Sequence, residues 1–138
     1  MFVLDTDTLT LLLRDNPRVQ TRVTECQEEI VLAAATRMEQ LRGRFDAVFK
    51  AEDGDHLLAA YERLVETEAD LARFPILPLD DAAAAKFDNL LAVKGLRRIG
   101  RGDLLIAAIT LANKATLVTH NLKDFRKVPG LRVENWAD

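Results

Sequence analysis

Short apolar runs alternate along the chain with longer segments in which apolar positions recur every three or four residues. The short runs have the length of buried strands, and the longer segments are typical of amphipathic helices. The predicted strands cover residues 2–4, 30–34, 75–79, 115–118 and 131–133. Because strands and helices alternate, we predict parallel strands joined by helical crossovers, with helices on both faces of the sheet.

Capping residues mark the starts of several predicted helices. Asp80 precedes an alanine-rich helical segment and is a typical N-cap residue. Thr36 and Glu39 have the spacing of a capping box, in which each side chain bonds a free backbone N–H group at the start of a helix. A further helix is expected to begin near Asp103, after a flexible entry at residues 100–102.

The helical segments 37–50 and 56–73 are long, adjacent and separated by a short acidic stretch, so we predict that they form a hairpin. The predicted architecture is α/β, with three layers in the order α/β/α and a central, mainly parallel sheet of four to five strands. The hairpin, at about residues 37–73, belongs to the same single domain, which is expected to cover 1–138.

Composition and charge narrow the possible functions. The chain has 138 residues, of which 49% are apolar and 30% are charged, as in an ordinary soluble globular domain. The 22 acidic and 19 basic residues give a net charge of −3, which excludes a uniformly basic nucleic-acid-binding surface. The single cysteine, Cys26, provides neither a disulfide nor a thiolate metal site, and no signal peptide or membrane span is expected. A cytoplasmic location is the expectation.

Polar side chains follow the predicted strands at one edge of the sheet, where ligands bind in parallel α/β folds. Asp5 comes directly after the first strand, and Thr119 directly after the strand at 115–118. Glu39 lies one turn into the helix that follows the second strand, Asp103 opens another helix, and Asp124 lies just beyond Thr119. We therefore expect four carboxylates at one rim, with Asp7 as a further candidate.

Carboxylates that converge in this way repel one another and raise each other's pKa unless a cation neutralises them. Mg²⁺ and Mn²⁺ prefer oxygen ligands and often bind together with phosphate oxygens of a substrate. The chain has no cluster of Cys or His that would favour zinc. The pattern therefore favours a divalent-cation site that acts on phosphate esters.

Four segments carry a resemblance to a known family. They are FVLDTD at 2–7, TRME at 36–39, GDLLIAA at 102–108 and VTHNLKDF at 118–125. In order and spacing they resemble the signature segments of PIN domains, and most closely those of VapC-type toxins of type II toxin–antitoxin systems. The resemblance extends over essentially the whole chain. It implies a metal-dependent endoribonuclease that uses a metal-activated water and leaves a 5′-phosphate and a 3′-hydroxyl.

The resemblance also implies roles for individual residues. Asp5 and Asp103 would bind the principal Mg²⁺ or Mn²⁺ ion. Glu39 would hold this ion or a bridging water, Asp124 would complete the pocket, and Thr119 would orient water or substrate. The catalytic residues implied by the resemblance are Asp5, Glu39, Asp103, Asp124, Thr119 and Asn121.

The same resemblance implies partners. An RNA substrate, such as a structured RNA of the tRNA kind, would occupy the acidic pocket. A small antitoxin would cover this pocket with its C-terminal segment, and two copies of the chain would form a homodimer through their helices.

The basic residues are concentrated in two stretches beside the candidate site, whereas seven acids lie between Glu52 and Asp70. Lysine and arginine next to an acidic metal pocket are expected to hold an RNA backbone with little reading of base sequence. The candidate RNA-binding residues are Arg42, Arg44, Arg97, Arg98 and Arg101. The alternatives are a solvated charged surface or a surface that docks acidic side chains of a partner.

Each carboxylate also has a purely structural interpretation. Asp5 and Asp103 are suited to be helix N-caps, Glu39 to complete the capping box, and Asp124 to be a simple loop acid. His120 lies between two candidate residues, but it is more simply a surface histidine than a proton shuttle.

Two other functions remain open at the level of sequence. Residues 4–7 also resemble the nucleophile motif of haloacid-dehalogenase-like phosphohydrolases, with Asp5 as nucleophile and Asp7 as acid. Leu9 departs from that motif, and the chain is short for that fold. The other alternative is a non-catalytic PIN module that binds RNA or protein.

Overall fold

The computed structural model describes residues 1–138, and five short strands form a single sheet at its centre. The strands are β1 (Phe2–Leu4), β2 (Ile30–Ala33), β3 (Ile76–Leu77), β4 (Thr116–Val118) and β5 (Arg132–Glu134). Their order in the sheet is β3-β2-β1-β4-β5, and every neighbouring pair is parallel. The prediction of a parallel α/β sheet is confirmed, although β3 keeps only two of the five residues predicted as extended.

Seven α-helices connect the strands. They are α1 (Thr6–Leu13), α2 (Pro17–Glu25), α3 (Ala34–Lys50), α4 (Gly54–Leu71), α5 (Asp81–Leu91), α6 (Arg101–Ala112) and α7 (Leu122–Phe125). The predicted hairpin is formed by α3 and α4. None of the helices combines the length and the apolar character needed to cross a membrane.

Two hydrophobic clusters, one on each face of the sheet, form the core. Successive strand residues point to opposite faces, so Val3 and Val31 belong to one cluster, and Leu4 and Leu32 to the other. Residues 106–109 of α6 are fully buried in the first cluster. The second cluster also contains side chains of α1, α2, α3 and α4. Helices on both faces give the three layers that the sequence predicted.

The helix after β2 begins without the predicted capping box. Strand β2 ends at Ala33 and α3 begins at Ala34, and Ala33 offers no side-chain cap. Thr36 is therefore already inside the first turn, where it is fully buried. Its hydroxyl oxygen lies 3.3 Å from that of Thr6 in α1, within hydrogen-bonding distance. Because Thr36 does not cap the helix, Glu39 does not form a capping box with it.

The helix that carries Asp103 also begins earlier than predicted. Residues 101 and 102 are helical, so they are not a flexible entry, and Gly100 is an N-cap without a side-chain bond. Asp103 is thus the third residue of α6 rather than its cap. In the same way, the predicted polar loop at residues 119–124 contains the start of the short helix α7.

Candidate active site

The carboxyl ends of β1 and β4 place Asp5 and Thr119 side by side. The Asp5 amide donates to the Val118 carbonyl at 3.0 Å, and the Thr119 amide donates to the Glu134 carbonyl at 2.9 Å. The sheet pairing therefore continues through both residues, and both are buried. This pairing fixes their backbones on the rigid edge of the sheet.

Asp5 has two roles at this edge. Its Oδ1 accepts a hydrogen bond from the Thr8 amide at 2.8 Å, so it is the N-cap of α1 that its structural interpretation predicts. Only 4% of the residue is exposed. Burial raises the pKa of the Asp5 carboxyl above its ordinary value, although hydrogen bonds from Thr119 and Thr8 lower it in part. A carboxylate held so deeply favours a cation that compensates its charge.

Asp124 is positioned by Asn121 and, through it, by Thr119. The Thr119 hydroxyl accepts a hydrogen bond from the Asn121 amide at 2.9 Å. The side-chain amide of Asn121 donates to Asp124 Oδ2 at 2.9 Å, and its carbonyl caps α7 by accepting from the Asp124 amide at 3.4 Å. Lys127 Nζ lies 4.0 Å from Asp124 Oδ1. The cap of the short helix and the hydrogen bond from Asn121 thus fix the orientation of the Asp124 side chain.

Glu39 lies between α1 and α6. Its Oε1 accepts a hydrogen bond from the Thr6 hydroxyl at 3.2 Å. On the other side it faces Gly102, where an added Cβ would stand 2.9 Å from Glu39 Oε2 and 3.0 Å from Cδ. The glutamate carboxylate therefore occupies the space that any side chain at position 102 would need.

The pKa of Asp103 reflects its burial and the negative charges of the other carboxylates at this edge of the sheet, a region called the carboxylate cleft below. Burial, followed by the negative charges of its neighbours, raises the pKa of the Asp103 carboxyl to about 6. The neighbouring carboxylates that raise it are, in order of effect, Asp5, Glu39, Asp7 and Asp124. Because each of them acts on Asp103, the structure brings all the carboxylates predicted from sequence into one electrostatic field.

The donor set fits a hard divalent cation. It consists of carboxylate oxygens, with the hydroxyl of Thr119 and the amide of Asn121 beside them, and oxygen ligands are what Mg²⁺ and Mn²⁺ select. No three Asp, Glu, His or Cys side chains are already drawn together closely enough to hold an ion. Asp5, Asp103, Glu39 and Asp124 thus lie near one another without converging on a single point.

The predicted basic residues lie in two different environments. Arg97, Arg98 and Arg101 line a cavity of about 620 Å³ beside the start of α6, and the Arg101 guanidinium lies over the Phe87 ring at 5.2 Å. Arg44 is half-buried in the hairpin instead, where its Nε donates to the Thr67 hydroxyl at 2.9 Å. Arg42 and His120 are exposed.

Sequence reasoning misses the two residues that define the position of Glu39, namely Thr6, which bonds it, and Gly102, which leaves room for it. In the sequence, Thr6 is only part of a motif, and Gly102 is only part of an expected flexible entry. Gly102 did carry a signal in the sequence, because a glycine in the first turn of a helix often marks the close approach of another group. The Thr6 hydroxyl has no comparable signal, since only the tertiary fold brings α1 and α3 together.

The candidate site is a group of carboxylates at the carboxyl edge of a parallel α/β sheet. Acidic sites of this class suit hard divalent cations. Residues 2–131 match the family model of the PIN domain. The chain belongs to the PIN domain family.

Named relatives are similar over almost their whole length. The tRNA(fMet)-specific endonuclease VapC of Salmonella typhimurium is 27% identical over 140 residues, which cover 99% of this chain and 98% of the relative. Ribonuclease VapC1 of Haemophilus influenzae is 28% identical over 143 residues, with the same coverage of both chains.

Solved structures agree in fold. A chain in the crystal structure of DNA-bound VapBC from Salmonella typhimurium superposes with a TM-score of 0.78 at 27% identity, covering 98% of this chain and 97% of its own. VapBC-1 from nontypeable Haemophilus influenzae gives a TM-score of 0.80 at 23% identity, covering 99% and 98%. At that level of identity the second likeness supports the fold alone.

Proposed function

We propose that this chain is a metal-dependent endoribonuclease and the toxin of a toxin–antitoxin pair. The observation that carries the proposal is the set of carboxylates that act together on Asp103 at the carboxyl edge of the sheet. The family match adds support, as do the relatives that are named as ribonucleases. The substrate is RNA, and a structured RNA of the tRNA kind is the first candidate.

The carboxylates have separate tasks in this proposal. Asp5 and Asp103 would hold the principal Mg²⁺ or Mn²⁺ ion, because they are the two acids of the site whose pKa is raised by burial. When bound, such an ion stabilises the charge added to the phosphate and lowers the pKa of the attacking water. Glu39 accepts a hydrogen bond from Thr6 and fills the space beside Gly102, and it would hold the ion or a bridging water.

The polar residues after β4 orient the reactants. Asn121 fixes the direction of the Asp124 carboxylate, so Asp124 completes the pocket directly or through water. Thr119 is held beside Asp5 by the sheet and orients water or substrate. These positions are set by backbone pairing and a helix cap, which reduces the reorganisation needed during the reaction.

Arginines next to the cleft are proposed to hold the RNA backbone. Arg97, Arg98 and Arg101 lie within six residues before Asp103 and form no salt bridge, so their charges are free to meet phosphate. Arg42 is exposed three residues after Glu39 and has the same proposed role. Binding to phosphate of this kind weakens with salt.

A protein partner is supported by the surface of the hairpin. Large apolar side chains are exposed there, and 86% of Phe49 is accessible. Exposed apolar residues on one element are typical of interaction sites. We propose a cognate antitoxin as one partner and a second copy of this chain as another, both in the cytoplasm.

The proposal is tested by RNA cleavage with the purified chain. We expect cleavage in Mg²⁺ or Mn²⁺, products with a 5′-phosphate, and loss of activity in EDTA and in Asp103→Asn. Cleavage that continues in both conditions would contradict the proposal. RNA binding without cleavage under any condition would select a non-catalytic module.

Detection of a covalent intermediate would distinguish the phosphohydrolase interpretation, in which Asp5 is the nucleophile, from the nuclease. A phosphorylated Asp5 trapped by beryllium fluoride would support it. Membership of the PIN family and the role of Asp5 as a buried helix cap favour the nuclease.

A further inference from the structure

A second polar cavity lies between α1 and the hairpin of α3 and α4. Its volume is about 330 Å³, and only three of its eleven lining residues are apolar. Three arginines from three different helical regions line it, namely Arg14, Arg44 and Arg63. Two acids, Glu66 and Asp70, line it as well. The cavity is thus charged with both signs, and arginine is in excess.

The arginines have no carboxylate partner. None of the three forms a salt bridge, and the Asp70 carboxylate lies 3.8 Å from Arg73 instead. Arg44 is the most firmly positioned of them, because Thr67, a buried residue, accepts its Nε–H at 2.9 Å. This bond fixes the guanidinium plane and leaves the terminal N–H groups for another acceptor. Guanidinium groups gathered in a cavity without partners fit an anionic ligand.

Helix α1 contributes residues both to the carboxylate site and to this cavity. Thr6, Thr10 and Arg14 are spaced by four residues and lie along one face of α1 and its C-cap. Thr6 bonds Glu39 in the cleft, whereas Thr10 and Arg14 line the cavity. With about 1.5 Å of rise per residue, Arg14 is about 12 Å from Thr6 along the helix. That distance is too great for the phosphate being cleaved, and it suits a phosphate further along the same strand.

We propose that this cavity binds a backbone phosphate of the RNA substrate, beside the scissile bond and on the opposite side of Glu39 from Arg101. The inference rests on the proposed nuclease function. Glu39 separates the two basic regions, because it contacts Thr6 of α1 and faces Gly102 of α6. A strand that crosses the carboxylates would therefore meet arginines on both sides.

An acidic protein segment fits the cavity less well than RNA. The core of a protein–protein interface is mainly apolar and is anchored by aromatic or aliphatic side chains. This cavity offers threonine, glutamine and arginine instead, and it lies next to the catalytic carboxylates along α1. The mixed charge of the cavity also fits a single phosphate better than a longer anionic segment, because Glu66 would repel the additional negative charges.

The test uses Arg14→Gln and Arg63→Gln, with Arg18→Gln as the matched control. Arg18 is exposed on α2, forms no salt bridge and does not line the cavity. Both cavity variants are expected to raise KM for a long structured RNA by about five- to tenfold at constant kcat. In an Asp103→Asn background, each should reduce the slope of log affinity against log salt by about 0.7 for every phosphate that the variant no longer binds. A dinucleotide too short to reach the cavity should be cleaved equally by all variants.

The outcomes separate this inference from the function on which it rests. Cleavage with unchanged KM and salt dependence in both cavity variants would overturn the inference alone, even if the variants bound an antitoxin less tightly. Absence of cleavage by the unaltered chain would overturn the proposed function. In that case, a loss of RNA affinity and of salt dependence in Arg14→Gln and Arg63→Gln would still support the phosphate site.

Discussion

Position 102 is where a single side chain decides the geometry of the site. A Cβ there would stand 2.9 Å from Glu39 Oε2, so Gly102→Ala has to displace the carboxylate. The displaced atoms are the end of a flexible side chain, and alanine favours the helix, so the melting temperature should stay close to that of the parent. We expect RNA cleavage to fall by about ten- to a hundredfold, because small misplacements of catalytic groups are costly.

The matched control for this prediction is Gly100→Ala. Nothing lies within 4 Å of a Cβ at position 100, and its backbone angles suit alanine. Kinetics of the two variants, measured beside their melting curves, check the prediction. Equal activity in Gly102→Ala and Gly100→Ala would show that the position of Glu39 does not matter for cleavage.

The pKa of Asp103 predicts how the metal-free protein responds to pH. The folded-state pKa of about 6 lies above the ordinary value of 3.8, so ionisation of Asp103 opposes folding. The stability linked to this group is complete below about pH 4 and is lost as the pH rises through about 6. The pKa difference corresponds to about 3 kcal/mol, which partial solvation reduces to about 1–2 kcal/mol.

Asp103→Asn removes this cost. In EDTA, its melting temperature should exceed that of the parent above about pH 7, and the two should converge near pH 4. Thermal unfolding across this range checks the prediction. Parallel curves for the two proteins would mean that Asp103 does not experience the repulsion of its neighbours.

Among the elements, the short helix α7 depends most on one residue. Asn121→Ala removes its cap and the donor that orients Asp124, at a cost of about 1 kcal/mol in stability. We expect a higher Mn²⁺ concentration for half-maximal cleavage, because Asp124 loses its fixed direction. The measurement is the cleavage rate as a function of Mn²⁺ concentration.

Asn16→Ala provides the control for α7. Asn16 caps α2 by accepting from the amides of Arg18 and Val19 at 3.1 Å, and it lies outside the candidate site. It should lose a similar amount of stability without any change in the Mn²⁺ requirement. An identical Mn²⁺ requirement in the Asn121 and Asn16 variants would assign Asn121 a purely structural role.

Element boundaries show which parts of the site could be predicted from sequence. The order of strands and helices, and the carboxylates that follow them, could be predicted because burial leaves a periodic pattern. The starts of α3 and α6 could not, since Thr36 and Asp103 have the same local sequence signals as caps and as residues of the first turn. Tertiary packing decides between these positions. Helix α7, with four residues, is too short to show a period.

For the whole molecule, the repulsion within the cleft predicts that a divalent cation stabilises the fold. A ligand that binds only the folded state at a hundredfold excess over its Kd contributes about 2.7 kcal/mol. We expect saturating Mn²⁺ to raise the melting temperature of the parent and to raise that of Asp103→Asn much less. Asp88→Asn, an exposed change on α5, should respond like the parent. No stabilisation of the parent by Mn²⁺ would contradict a metal site in this cleft.

The central claim is that the carboxylates at the sheet edge form one metal site at which RNA is cut. A Mn²⁺ titration in which bound ion is followed by electron paramagnetic resonance, and RNA cleavage is followed in the same samples, tests it most directly. The predicted result is that cleavage rises in proportion to occupancy and that Asp5→Asn and Asp103→Asn lose both. Full cleavage by either variant, or by the parent without bound Mn²⁺, would contradict the claim.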